Sequence, residues 1–425
     1  MVEVIRTDKF RLYPNAKQKS LIHNHFGQTR YVYNQILGKI VNKEYGVTTN
    51  KKGEEIPVIP SQTTIVNEIT HLKLIHSWLY QTGNDFLQAS IANLYRACKS
   101  FLSSKGGFPK FKSRKDYEQS INFYAGSRAK FDENYVFLPF PKETQFNKED
   151  FKIKYKKHKT NHDLPKNITD YTISKDNLNQ YWISFTYKTT ISHTVKTNKA
   201  CGIDLGLKDL LITSDGQKFE NNRPLIRSEK GLKRLQKSLS RKKKGSKNKE
   251  KARLKLAKKH KKVKNQRNHR NHIISRQLVD LYDIIAMESL QIKNMLKNSK
   301  LSKAISDVAW GDIQSKIEYK IAEKQGCFIK IDKFYPSTKT CSCCGNVKDK
   351  MSLSERTYVC HECGFVCDRD INAAINILRA GIKELLRNTQ ELSKIMSTEA
   401  LEDLFKTSWV DDVEKMGLLH CSKLI

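Results

Sequence analysis

The first 200 residues alternate apolar and polar positions at both ends and carry a helical pattern between them. Alternation over residues 2–13 predicts one or two short strands that end at Pro14. The following stretch, to about residue 102, repeats apolar residues at helical spacing and predicts a small helical bundle. Alternation returns over residues 119–193 between Pro, Asn and Asp turns, which predicts antiparallel strands in a small barrel. We expect the N-terminal strand to pair with this barrel, so that the helices form an insertion.

From residue 200 onward, strand and helix patterns take turns. In chain order the predicted elements are strands 200–207, 210–213 and 214–219, a basic helical region 227–272, strand 284–288, helix 304–326, strand 328–332 and a helix from residue 370. Asp204 lies within the first strand, Glu288 ends the fourth, and Asp370 opens the last helix. This is the chain order of a ribonuclease-H-like α/β fold, in which the first and fourth strands are neighbours.

The charge of the chain points to a polyanionic partner. Lys and Arg number 78 and Asp and Glu 44, so the net charge is 78 − 44 = +34. Such an excess predicts an extended nucleic-acid-binding surface. A basic ribosomal or chromatin protein is the alternative, but such chains seldom carry a large apolar core together with a metal-binding knuckle.

Two basic stretches are candidates for that surface. Residues 227–272 hold 21 Lys or Arg against two acidic residues and keep a thin apolar stripe, which predicts two basic helices split near Gly245 and facing phosphates. Residues 105–115 alternate basic and aromatic side chains, a pattern that suits phosphates and exposed bases. An ordinary hairpin with solvated lysines explains this second stretch equally well.

The N-terminus carries no apolar signal segment, and no uninterrupted apolar stretch of about 18 residues is present. We therefore expect a soluble intracellular protein without a membrane partner. Of the ten cysteines, six lie outside the pattern described next and are expected to be mostly reduced thiols.

Four cysteines form two Cys-x-x-Cys pairs that stand 15 residues apart, Cys341 with Cys344 and Cys360 with Cys363. Four thiolates at this spacing suit one tetrahedral Zn²⁺. A glycine follows each pair and permits the positive φ that such turns often need. Two disulfides are the alternative, which a reducing compartment disfavours. A four-cysteine zinc site is structural, so we expect it to hold shape and the chemistry to lie elsewhere.

Asp204, Glu288 and Asp370 are the candidates for that chemistry. The predicted fold would bring them together, although 84 and 82 residues separate them along the chain. Two of them lie in apolar strands, where a carboxylate is costly unless it is paired or binds a cation. Carboxylate oxygens suit Mg²⁺ or Mn²⁺, and two such ions can drive phosphodiester hydrolysis. The alternative is that Asp204 and Glu288 are acids at strand edges without a functional role. Asp368 is ranked behind Asp370, as a helix cap or a supporting group.

Short motifs along most of the chain resemble one known family. The matching stretches are Phe10-Arg-Leu-Tyr-Pro, Arg30-Tyr-Val-Tyr-Asn, Pro109-Lys-Phe-Lys-Ser-Arg, Gly202-Ile-Asp-Leu-Gly, Ile285-Ala-Met-Glu, Ser337-Thr-Lys-Thr-Cys-Ser-x-Cys-Gly and Asp368-Arg-Asp-Ile-Asn-Ala-Ala-Ile-Asn-Ile-Leu. In this order, over roughly residues 1–390, they resemble the TnpB family, transposon-encoded relatives of type V CRISPR effectors. The last two motifs are highly specific together, and the N-terminal ones are looser.

The resemblance implies a multidomain α+β architecture. The implied parts are a wedge-like β-barrel (1–14 and 105–196), an inserted helical recognition lobe (15–104), a ribonuclease-H-like RuvC nuclease domain (197–336 and 367–392, with the basic helical pair 227–275), an inserted zinc knuckle (337–366) and a C-terminal tail of no assigned role (393–425).

The resemblance also implies the activity of an RNA-guided DNA endonuclease encoded by a transposable element. A guide RNA would pair with the target strand beside a short motif that the N-terminal half reads on duplex DNA. Asp204, Glu288 and Asp370 match the family's catalytic acids and imply two-metal hydrolysis with Mg²⁺ or Mn²⁺. The implied partners are guide RNA, double-stranded target DNA and, as a further candidate, a transposase of the same element. The implied location is the prokaryotic cytoplasm, at the nucleoid.

The nucleic-acid contacts are expected on the basic and aromatic residues of these stretches. The predicted contact residues are Arg30, Tyr33, Asn34, Lys110, Lys112, Arg114, Lys233, Arg234, Arg241, Lys242, Lys243, Arg253 and Arg267.

Two other functions stay open at the level of the sequence. A small type V CRISPR effector that uses a processed repeat RNA would carry the same motifs, and the source of the RNA would separate the two. A non-cleaving DNA-binding protein, acting as a transposition accessory or guided repressor, would not need the three acids. Their presence counts against that function.

Overall fold

A computed structural model describes residues 2–49, 53–103, 105–124, 130–141, 143–156, 167–191, 196–352 and 354–386. The chain divides into two compact units, one formed by Glu3–Thr190 and one that begins at Ile191. The predicted tail, residues 393–425, lies outside the described residues. Within the described part of the chain, no helix is long and apolar enough to cross a membrane.

The N-terminal unit combines a helical group with an antiparallel sheet. Its elements are β1 (Val2–Leu12), α1 (Ala16–Val41), β2 (Val47–Thr49), β3 (Glu55–Pro57), α2 (Gln62–Ile75), a 3₁₀ helix (Ser77–Gln81), α3 (Asn84–Leu102), β4 (Gln119–Tyr124), β5 (Lys130–Phe131), β6 (Tyr135–Phe137), a second 3₁₀ helix (Lys148–Phe151), β7 (Lys152–Lys156), β8 (Ile168–Lys175) and β9 (Tyr181–Ile191). The short β2–β3 pair lies in a stretch where the sequence predicted no strands.

Seven strands form the main sheet of this unit, in the order β4-β8-β9-β1-β7-β6-β5. The N-terminal strand therefore lies among strands that follow the helices, and the predicted pairing is confirmed. Phe131 in the edge strand β5 contacts Tyr171 in β8 and Phe185 in β9, with ring centroids 6.4 and 5.3 Å apart. Because β8 and β9 lie toward the opposite edge, the sheet must curl over its aromatic core.

Helix α1 begins where the sequence predicts it. Asn15 and Gln18 form a capping box, in which each backbone N–H donates to the other side chain at 2.9 Å. The Gln18 amide also donates to the Lys152 carbonyl at 2.8 Å. The same residue thus starts the helix and fastens it to the sheet.

The C-terminal unit surrounds a five-stranded sheet. Its elements are β10 (Ala200–Asp204), β11 (Asp209–Thr213), β12 (Lys218–Glu220), α4 (Pro224–Ser240), α5 (Lys247–Leu281), β13 (Ile284–Glu288), α6 (Ile292–Met295), α7 (Ser302–Val308), α8 (Trp310–Glu323), β14 (Cys327–Ile331), β15 (Thr357–Val359), β16 (Val366–Asp368) and α9 (Arg369–Leu386). The sheet order is β12-β11-β10-β13-β14. Strands β10, β13 and β14 run parallel to one another, β11 runs antiparallel to β10, and β12 runs antiparallel to β11. The predicted element order and the pairing of the first and fourth strands are both found.

Helix α9 packs directly on the centre of this sheet. A Cβ atom at Gly202 in β10 would lie 2.0 Å from the carbonyl oxygen of Ala374 in α9. A Cβ atom at Gly381 in α9 would lie 2.6 Å from the Ala286 side chain in β13. Only glycine allows the backbones to come this close. The start of α9 is thereby held at the ends of the two central strands.

The helices of this unit correct one prediction and confirm another. The single amphipathic helix predicted over residues 304–326 is two helices, because Ala309 takes a left-handed conformation with φ 59°. The predicted basic pair is present as α4 and α5, which break at Gly245, where φ is 81°. Arg223 gives α4 no side-chain cap, and buried Asp307 caps it from a distance by accepting from the Leu225 and Ile226 N–H groups.

Candidate active site

The structure brings the three predicted acids together. Strands β10 and β13 run parallel with Ile203 opposite Met287, so the next residues, Asp204 and Glu288, end neighbouring strands. Asp370 lies in the first turn of α9. Burial, followed by the negative charges of Glu288 and Asp370, raises the pKa of Asp204 to about 7. Three carboxylates that repel one another at a sheet edge form a site that a divalent cation would stabilise.

Each of the other two carboxylates has protein partners. The Ser337 hydroxyl donates to Glu288 Oε1 at 2.5 Å. The Arg369 guanidinium lies 3.0 Å from Asp370 Oδ1, and Arg356 lies 3.9 Å from Oδ2. Among the described residues, the four knuckle cysteines are the only group of three or more His, Cys, Asp or Glu side chains whose ligand atoms all lie within 4.8 Å of one another. The three acids offer hard oxygen ligands of the kind that Mg²⁺ and Mn²⁺ prefer.

Asp368 has a different position from Asp370. Its Oδ1 accepts from the backbone N–H groups of Asp370 and Ile371 at 2.9 and 3.3 Å, and its Oδ2 pairs with Lys218 at 2.6 Å. Asp368 is thus the N-cap of α9. This geometry agrees with the prediction that ranked it behind Asp370.

The four predicted cysteines form a cluster that could hold zinc. The Sγ atoms of Cys341 and Cys363 lie 3.7 Å apart, and those of Cys344 and Cys360 3.6 Å apart. Four sulfurs about 2.3 Å from a tetrahedral metal ion would be separated by about 3.8 Å, whereas a disulfide would bring a pair to about 2 Å. Gly345 and Gly364 take φ values of 78° and 69°, as predicted. The donor set fits Zn²⁺.

The N-terminal unit holds a separate cleft of about 820 Å³. The predicted residues Arg30, Asn34 and Arg114 line it, and Lys175 and Trp78, which the sequence did not single out, line it as well. Cationic and aromatic groups around one cleft are suited to nucleic acid.

Three predicted contact residues take part in internal contacts near this cleft. The Asn34 side chain exchanges two hydrogen bonds with the Lys112 backbone, both at 2.9 Å. The Lys112 ammonium lies 4.0 Å from the ring centre of Tyr33, which is buried. These residues hold the loop of residues 105–115 against α1, and their contact with nucleic acid stays a prediction. Lys110 is exposed on the same loop.

The basic helices also divide their predicted residues between surface and structure. Lys233, Arg234, Arg241, Lys242 and Lys243 are exposed. The two remaining predicted residues lie in internal contacts: Arg253 pairs with Glu250, and Arg267 donates to the Ser306 carbonyl.

Sequence reasoning missed three buried polar residues beside the site, Ser337, Asn372 and Asn376. Their partners lie far away in sequence, so no spacing pattern identifies them. All three lie within the two motifs from Ser337 and from Asp368 that carry the family resemblance, and the two asparagines stand four residues apart in an otherwise apolar helix face; these were the available indications.

Family models and one solved structure match this chain over most of its length. Family models described as "Helix-turn-helix domain", "Probable transposase" and "Cas12f1-like, TNB domain" match residues 1–43, 183–299 and 310–377. A solved structure described as "Cryo-EM structure of the Cas12f1-sgRNA-target DNA complex" matches with a TM-score of 0.56 at 13% identity, covering 88% of this chain and 98% of that one. The chain therefore has the multidomain α+β fold of Cas12f1. Residues 2–41 nevertheless form one strand and one helix, without a helix-turn-helix.

Curated relatives narrow the class to a family. A Streptomyces pristinaespiralis protein named "Putative RNA-guided DNA endonuclease" is 32% identical over 384 residues, which is 90% of each chain. An Escherichia coli K12 protein with the same name and the designation InsQ is 26% identical over 389 residues, covering 88% of this chain and 91% of that one. This chain belongs to the TnpB family.

Proposed function

We propose that this protein is an RNA-guided DNA endonuclease whose hydrolytic site consists of Asp204, Glu288 and Asp370. The observation that carries the proposal is the convergence of these acids from two strand ends and one helix start, in a chain 32% identical to a relative of that name. A binding protein gains nothing from three mutually repelling carboxylates, whereas a metal-dependent hydrolase needs them.

The same residues would hold the metal ions. Asp204, Glu288 and Asp370 would bind Mg²⁺ or Mn²⁺ in a RuvC-type, two-metal arrangement, and the four cysteines would bind structural Zn²⁺. Bound divalent ions would supply an activated water and a stabilised leaving 3′-oxygen. The chain's own contribution is to hold the Glu288 carboxylate by the Ser337 hydroxyl and to cap α9 with Asp368, which fixes the first turn that carries Asp370.

The remaining segments would bind the nucleic acids. In this proposal the curled sheet and its inserted helices act as wedge and recognition lobe, and the cleft around Arg30 and Arg114 reads the target-adjacent motif. The exposed cations of α4 and α5 line the channel of the guide–target duplex. In this proposal the protein acts at the host nucleoid, and a transposase of the same element is a candidate partner.

The test is to purify the protein from a host that carries its native flanking DNA and to sequence the RNA that accompanies it. We expect one discrete RNA, and cleavage of a matching DNA in Mg²⁺ that chelation abolishes. An RNA from a transposon end supports the transposon-encoded nuclease, and one from a repeat array supports the CRISPR effector. Host RNA of random sequence, or bound RNA without cleavage by the wild-type protein, would contradict the proposal and favour an accessory or repressor.

The basic helices allow a second test. Reversing Lys233, Arg234 and Arg241 to Glu should weaken RNA binding and flatten its dependence on salt, because fewer counterions are released. An unchanged slope of log affinity against log salt would contradict their assignment to the channel.

A further inference from the structure

We propose that the four-cysteine knuckle is a positioning device for the acids. Ser337, Asn372 and Asn376 tie it to Glu288 and to the helix that carries Asp370, so that zinc occupancy sets the affinity of the acids for Mg²⁺. This inference rests on the proposed function and extends it. The three side chains are positioning residues, because they reach the reaction through the carboxylates.

The tie to Glu288 is a single buried hydroxyl. Ser337 is 3% exposed and donates to Glu288 Oε1 at 2.5 Å, only four residues before Cys341. The loop that carries it is closed by its own hydrogen bonds: the Ser337 N–H donates to the Tyr335 carbonyl at 2.8 Å, and the Thr340 N–H to the Pro336 carbonyl at 3.0 Å. The hydroxyl therefore moves with the beginning of the knuckle.

The tie to α9 is a pair of asparagines on one face of the helix. Asn372 and Asn376 are both fully buried and both donate to the Thr340 carbonyl, at 2.7 and 2.6 Å. Asn376 also donates to the Ser337 carbonyl at 2.9 Å, and Asn372 accepts from the Ser342 N–H at 2.9 Å. Thr340 and Ser342 flank the first cysteine, so this candidate metal ligand is fixed to the helix whose first turn carries Asp370.

The second pair of cysteines is joined to the same helix through the chain. The β15–β16 hairpin, which carries Cys360 and Cys363 in its turn, ends at Asp368, and α9 begins at the next residue. The Arg369 N–H donates to the Arg356 carbonyl at 2.9 Å, and its guanidinium donates to the Glu355 carbonyl at 2.8 Å. Both halves of the knuckle thus meet at the first turn of α9.

Stability alone does not explain these polar residues. Asn376 Oδ1 is buried and has no hydrogen-bond partner among the described residues. A buried acceptor left unpaired costs free energy that an apolar side chain of similar size would avoid. The presence of an amide at Asn376 is better explained by its NH₂ group, which holds the Ser337 and Thr340 carbonyl groups in place.

The experiment measures the Mg²⁺ concentration that gives half-maximal cleavage, with zinc content and binding of RNA and DNA measured on the same samples. The variants are Ser337→Ala, which removes the donor to Glu288, and Asn376→Asp, which keeps the shape and loses the NH₂ group. Ser354→Ala, an exposed serine of the same knuckle, is the matched control. We expect both variants to raise that Mg²⁺ concentration about 10- to 100-fold, the usual effect of losing a partner of a metal ligand, and the control to leave it unchanged.

Zinc removal from the wild type should raise the same Mg²⁺ requirement. For zinc-free Ser337→Ala, the increase should be much smaller than the product of the two separate fold-changes, because zinc loss and the substitution act through one contact. Hydrogen exchange gives a readout without cleavage: chelating zinc should speed exchange in peptides 284–290 and 369–378. Independent, multiplying effects, or unchanged exchange in those peptides, would overturn the inference. Absence of cleavage in the wild type would instead contradict the proposed function, and the exchange measurement would still decide this one.

Discussion

Aromatic rings make up much of the N-terminal core, whereas the C-terminal core is largely aliphatic and encloses more charged side chains. Phe10, Tyr155 and Phe185 meet with ring centroids 5.5 to 5.9 Å apart in the first unit. Among the described residues, Lys73 is the one buried charged side chain of the N-terminal unit. The C-terminal unit buries Arg270, Asp283, Asp307 and Lys316.

This difference separates two uses of a protein interior. Apolar packing gives shape and stability and tolerates changes that keep volume. Buried polar groups are costly, and they remain where a direction has to be fixed. The C-terminal unit, which holds the three acids, is therefore where small substitutions should do the most harm.

The largest effect is expected for Gly202→Ala. The added Cβ would lie 2.0 Å from the Ala374 carbonyl oxygen and 2.5 Å from the Leu378 nitrogen, and neither backbone atom can move aside. We expect the C-terminal unit to lose about 3 kcal/mol or more of unfolding free energy, measured by chemical denaturation. Gly231→Ala in α4 meets only the flexible Lys259 side chain at 3.5 Å and is the matched control. Equal stability of the two variants would refute the close packing of α9.

Asp283→Asn should have the next largest effect. Asp283 accepts from the Thr197 and Asn198 N–H groups, each at 2.7 Å, and pairs with partly buried Lys324 at 2.8 Å. Loss of its charge should cost roughly 3 kcal/mol, because Asp283 itself is buried and its ammonium partner would lose its counter-charge. Glu318→Gln removes an exposed ion pair with Lys330 and should change stability by about 0.5 kcal/mol or less. Thermal unfolding of both variants measures the difference in their loss of stability. Similar losses in the two variants would contradict the prediction.

His25 makes the N-terminal unit sensitive to acid. Burial lowers its pKa to about 3, and its Nδ1 lies 2.7 Å from the Thr82 hydroxyl. The folded pKa lies below the unfolded value near 6.5, so the folded state binds fewer protons and stability falls as pH drops below that value. Between pH 7.5 and 5.5 this group should cost about 1.4 kcal/mol.

Hydrogen exchange of α1 peptides at the two pH values measures that loss. His25→Gln has no ring to protonate, so its opening free energy should depend less on pH by the same amount, whatever its stability at neutral pH. A variant with the full pH dependence of the wild type would assign the acid sensitivity to other groups.

The smallest effect is expected for Gly38→Ala in α1, and it has the opposite sign. No atom lies within 4 Å of the added Cβ, and Gly38 lies inside a helix. Alanine should therefore stabilise the N-terminal unit by up to about 1 kcal/mol, measured by chemical denaturation. Destabilisation would contradict the open space found beside Gly38.

The sequence predicted what periodicity and spacing encode. Alternation identified most strands of the seven-stranded sheet but not β2 and β3, and the glycines after the cysteine pairs take the expected φ values. The break at Ala309 was missed because a left-handed alanine has no sequence signature, and tertiary contacts must hold it. Ser337 and Asn376 were missed because their partners are a carboxylate and backbone carbonyls far along the chain. Contacts of this kind exist only after the two segments have met.

The most direct test of the central claim compares two acids that stand two residues apart. Single-turnover cleavage of a guided DNA target in Mg²⁺ is measured for Asp370→Asn and Asp368→Asn. If Asp370 binds the metal, its variant should lose cleavage on the order of 1,000-fold or more while keeping RNA and DNA binding. Asparagine at 368 can still cap α9 and loses only the pair with Lys218, so that variant should cleave within about threefold of the wild type. Retained cleavage by Asp370→Asn would contradict the proposed active site.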